Sequence, residues 1–139
     1  DAAGIVPLVI APAGGFLGGA DGGIPVQRTY LTARSTEFDA VLVAASGAPA
    51  KDAEQGRDAK AGEPGASLDP RVVLLLSEMF RHAKAIGGWG PAVTCLDGAS
   101  IPPDAAGIAL GEGPDDVVEQ LTGLLAAHRA WERFPATGV

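Results

Sequence analysis

Short, almost wholly apolar runs alternate along this chain with glycine- and proline-rich stretches, and two later segments carry apolar residues at helical spacing. Ile5 to Ala11 (IVPLVIA) has no polar side chain. That pattern predicts a strand buried on both faces, as in a parallel sheet. In the segment that follows, Asp21-Gly22-Gly23 supplies residues that tolerate positive φ and predicts a hairpin turn. The returning arm, Ile24 to Leu31, includes Val26, Thr29 and Tyr30, which suit an exposed strand. Asp39 to Ala45 (DAVLVAA) predicts a second buried strand, entered through the polar turn Ser35-Thr36-Glu37.

The helical period begins at Asp69-Pro70, an N-cap residue followed by proline at the first helical position. Val72, Val73, Leu76, Met79, Phe80 and Ala83 then form one stripe, predicting a helix that runs through Lys84. Ala85 to Trp89 predicts a third strand ending in a glycine turn, and Ala106 to Leu110 a short fourth. The last helix starts at Pro114, with Asp115 and Asp116 at the positive end of its dipole. Val117, Leu121, Leu124, His128 and Trp131 recur in steps of four and three. The stripe predicts a helix that ends before Pro135, with Trp131 as its largest buried contact. Buried strands alternating with helices define the fold class: an α/β sandwich with a mostly parallel sheet and a hairpin excursion. No internal repeat is visible.

Between the second strand and the first helix lies Ser46 to Ala66, which mixes Gly, Pro, Ala and both signs of charge. Such a segment cannot bury enough apolar surface to offset its ordering entropy and is expected to be a mobile surface loop. A short helix within Lys51 to Lys60 is compatible with it. The chain's 139 residues fit one domain, and 47% hydrophobic content supports a packed core. With aromatics at only 5%, that core must be aliphatic. A net charge of −7 argues against nucleic acid or an anionic membrane as the main partner. Cys95 is the single cysteine, so no internal disulfide forms, which suits a cytoplasmic location. No apolar run approaches the roughly 18 residues of a membrane span.

The tail LLAAHRAWERFPATGV, from Leu124, resembles the final helix of large-subunit haem catalases, in which an Ala-Ala-His-Arg-x-Trp stretch precedes a short proline-containing end. The order of FDAVLVA, a variable loop, RVVLLLSEMFRHAKAI and a short strand is similar as well, so the resemblance covers nearly all of residues 1–139. It implies the family's C-terminal domain, which is flavodoxin-like and related to glutamine amidotransferases. It also implies that one strand and one helix normally precede Ile5. A start at Asp1-Ala2-Ala3-Gly4 is therefore read as an N-terminally incomplete domain.

Candidate chemistry is sparse. In the amidotransferase-like relatives a cysteine sits on a tight turn after a strand, where backbone amides lower its pKa. The matching segment, Ile86-Gly87-Gly88-Trp89-Gly90-Pro91, holds no cysteine, and Trp89 lies near where the nucleophile would be. Cys95 comes later and is expected to be a structural thiol. His82, four residues after Glu78, reads as a helix-surface pair, and His128 as a packing residue; with one cysteine they make no zinc set. Gly14-Gly15 and Gly18-Gly19 lack dinucleotide-binding spacing and the Lys-Ser/Thr of a phosphate loop. Tyr30, flanked by Arg28 and Arg34, has the wrong arginine spacing and the wrong setting for a haem phenolate ligand.

These readings converge on no catalytic, cofactor-binding or metal residue within the chain. The resemblance implies a non-catalytic auxiliary domain of a catalase that decomposes hydrogen peroxide. It would stabilise the oligomer (a tetramer in the family) or act in a chaperone-like way, with haem confined to the barrel of the parent chain. The alternative is a free-standing amidotransferase-like hydrolase or glyoxalase relative acting through Cys95.

Overall fold

The computed structural model describes residues 4–18, 22–44 and 69–133. They fall in two compact units, Asp1–Phe38 and Asp39–Val139. Residues 46–66, expected to be a loop, and Pro135 lie outside the described residues.

The first unit is built from short strands. β1 (Ile10–Ala11) runs parallel to β4 (Arg28–Thr29), while β2 (Gly15–Leu17) and β3 (Ile24–Val26) pair antiparallel. The hairpin expected around Gly22-Gly23 is thus present, and both glycines take positive φ, +99 and +82°. At Gly23 no other residue would do, since a Cβ there would lie 2.7 Å from the Leu17 carbonyl oxygen. The buried strand expected over Ile5 to Ala11 is corrected. Only Ile10–Ala11 is strand, Pro7 offers no N–H to a ladder, and Val6 is 83% exposed. A 3-10 turn over Ser35–Glu37 closes the unit at the expected polar turn. There Glu37 accepts from the Arg34 N–H at 3.0 Å and pairs with Arg28 at 2.9 Å.

The second unit carries a parallel sheet in the order β5 (Ala40–Ala44), β6 (Ala85–Trp89), β7 (Ile108–Gly111). Helices α1 (Pro70–Arg81), α2 (Ala92–Gly98) and α3 (Pro114–Ala126) connect and cover the strands. Their faces follow from two adjacent glycines. A Cβ on Gly87 would lie 2.9 Å from Val117 Cγ1 of α3, and one on Gly88 would lie 2.7 Å from Ala92 Cβ of α2. Adjacent strand residues point to opposite faces, so α3 covers one side of the sheet and α2 the other. Because α1 packs against α2, the unit has three layers, as the α/β sandwich reading requires. One core cluster joins Ala85, Ala109, Val117 and Leu121, and Leu76 and Met79 of α1 are fully buried. Each large side chain buried in this way contributes about 1.5–3 kcal/mol.

Local chemistry sets the helix ends. Asp69 caps α1 by accepting from the Arg71 N–H at 2.9 Å, and Pro70 follows at the first position. Pro114 opens α3, with Asp115 and Asp116 in its first turn. Three expectations are corrected here. α1 ends at Arg81 rather than Lys84, because Ala83 turns left-handed at φ 57°. α2 is an element the apolar spacing did not announce. The last helix stops at Ala126, and His128, at φ 67°, breaks its continuation. Trp131 therefore lies on a separate 3-10 turn, Trp131–Arg133, and is 59% exposed. Tertiary bonds outweigh the helical spacing there: the Ala130 N–H donates to the Ala83 carbonyl at 2.7 Å, and Arg133 Nη2 donates to the Lys84 carbonyl.

Candidate functional site

In parallel α/β sheets ligands are held outside the carboxyl ends of the strands, where the loops and helix starts converge. In this chain that edge is formed by Ala44, Trp89 and Gly111, which are paired in register across the three strands. The turn after the central strand is a strand–turn–helix elbow: β6 ends at Trp89, Gly90 and Pro91 turn, and α2 begins at Ala92. Gly90 takes the left-handed conformation, φ +57°, and a Cβ built on it meets nothing within 4 Å. The sequence pointed to Trp89 as the residue near the nucleophile position; the structure puts Gly90 at the turn itself, one residue later. The elbow residue has no side chain, and Trp89 stays half-buried against the core.

The elbow residues Trp89, Gly90 and Pro91 carry no nucleophilic side chain. Cys95 lies in α2, half-buried, and burial pushes its thiol pKa up. A raised pKa keeps the sulfur protonated, the opposite of what a catalytic thiolate needs. On the β7 side the edge is acidic, with Glu112 next to Gly111 and Asp115 and Asp116 on the first turn of α3. Those carboxylates already occupy the positive end of the helix dipole, which disfavours an anionic ligand there. Gln120 ties α3 to β7 by donating to the Leu110 carbonyl at 3.1 Å.

The two histidines are not brought together with Cys95. His82 is the exposed C-cap of α1, where its backbone N–H donates to Glu78; the pairing with Glu78 runs through the backbone. His128, expected as a packing residue, is exposed, and its Nδ1 lies 3.3 Å from Arg129 Nη1. Among the described residues no group of three metal-ligating side chains converges, and no helix is long and apolar enough to cross a membrane. Tyr30 lies in the turn after β4 with its backbone N–H on the Ala11 carbonyl, and Arg28 is held by Glu37. Gly14 precedes β2, Gly15 opens it and Gly18 follows it, and the next described element is the strand β3, not a helix.

At the opposite, amino-terminal edge of the sheet lies a basic cluster that the sequence did not reveal. Lys84, only 6% exposed, precedes β6, and burial above all lowers its pKa; Arg129 adds repulsion, and Asp39 opposes both. Arg129 reaches Asp39 at 3.8 Å. Arg133 lies over the Phe80 ring at 4.4 Å, and its buried Nε and Nη1 have no acceptor among the described residues. Burial lowers its pKa as well. This cluster fastens the Trp131–Arg133 turn to the start of β6. It brings together residues far apart along the chain, which is why no local motif marked it.

The family model for the C-terminal domain found in long catalases matches residues 1–135 of this chain. Catalase HPII of Mycobacterium avium is 32% identical over 146 aligned positions, which cover 94% of this chain and 19% of that protein. Catalase B of Aspergillus fumigatus is 31% identical over 115 positions, covering 79% of this chain and 16% of that protein. The chain spans less than a fifth of the length of these curated relatives.

Proposed function

The chain belongs to the family of C-terminal domains found in long catalases, and from that premise we propose that it is a non-catalytic auxiliary domain of a haem catalase that decomposes hydrogen peroxide. The observation that carries the non-catalytic part of this reading is Gly90. In the amidotransferase-like relatives that the resemblance implies, the turn after the central strand mounts a nucleophile; at the corresponding turn this chain has Gly90, which has no side chain. The raised pKa of Cys95 argues in the same direction.

Under this reading the domain works by packing. Its partners are the catalase barrel of the same polypeptide and further copies in a tetramer, where it stabilises the assembly in the cytoplasm. Two features support a packing role. The outer edge of β5 (Ala40–Ala44) has no strand partner among the described residues, although its five residues are all apolar, the composition of an interior parallel strand. Phe16 of the hairpin is 72% exposed, with Leu17 and Ile24 also exposed beside it.

The test is to compare the full-length catalase with a version lacking this domain. The expected result is unchanged peroxide turnover per haem, together with a lower temperature of subunit dissociation. Loss of turnover per haem in an intact, fully haem-loaded oligomer would overturn the auxiliary assignment. Unchanged assembly stability would overturn the stabilising role.

A further inference from the structure

We draw no further inference here: the strongest candidate, the apolar hairpin arm of β2 and β3 with Phe16, Leu17 and Ile24 exposed, carries none because nothing in the structure shows what covers it.

Discussion

Trp131 and Met79 show how differently two large apolar side chains can count in the same chain. Trp131 is 59% exposed, and its Nε1–H donates to the Ala127 carbonyl at 3.1 Å; Met79 is fully buried. Trp131→Ala should therefore cost about 1 kcal/mol, the value of a single hydrogen bond. Met79→Ala should cost about 2–5 kcal/mol, since it leaves a cavity that the surrounding layers close only in part. Urea denaturation midpoints of the two variants compare them directly, and equal losses would show that the tail packs differently from the arrangement described. Cys95 offers a second residue-scale test, because burial raises its thiol pKa. Its alkylation at neutral pH should be slower than that of free cysteine, and a faster reaction would return it to candidacy as a nucleophile. At Asp69, hydrogen bonds and charge from Arg71 lower the carboxyl pKa from 3.8 to about 2. A folded-state value below the unfolded one stabilises the fold above the unfolded pKa, and that contribution disappears as pH falls through about 2. The Asp69 side-chain carboxyl signal should titrate with that low midpoint. A midpoint near 4, the ordinary carboxylate value, would mean that the cap is not formed in solution.

At the scale of elements, legibility in the sequence depended on whether the deciding interactions were local. The cap at Asp69, the proline starts at Pro70 and Pro114 and the all-apolar β5 and β6 are set by neighbouring residues, and the structure has each of them. Of the elements misread, only the last helix was decided by partners far away in the chain. The end of the last helix depends on Ala83 and Lys84, the latter 49 residues before Arg133. α2 was hidden because its seven residues include Thr94, Cys95, Asp97 and Gly98, which leaves a single buried pair, Ala92 and Leu96, too short to read as a stripe. The site divided in the same way: the absence of cysteine from the elbow was visible in the residues, but the left-handed turn at Gly90 required the backbone. The contact between β6 and α2 gives this scale its own prediction. Gly88→Ala brings its new methyl into Ala92 Cβ at 2.7 Å and should cost about 1–3 kcal/mol by overpacking. Adding Ala92→Gly should recover part of that loss, beyond what its own lower helix propensity takes away. If the double variant is less stable than the sum of the two single changes predicts, the two elements do not meet as described.

At the scale of the whole molecule, the three-layer unit keeps its best-covered strand, β6, in the middle and, among the described residues, leaves β5 on the outside. Solvated edge strands usually carry a lysine, a proline or a bulge that discourages further pairing; β5 reads Ala-Val-Leu-Val-Ala and has none of these. Within a long catalase such a strand is harmless if neighbouring protein covers it. Cut loose, the same strand becomes a template: it offers a row of backbone donors and acceptors to any extended segment that reaches it, including the β5 of another copy. The hazard grows with concentration and with time in storage, since each added strand presents the next free row. On the packing role proposed above, a protease that clipped such a domain from a longer catalase would then do more than remove a support. It would release a seed for β-rich aggregation.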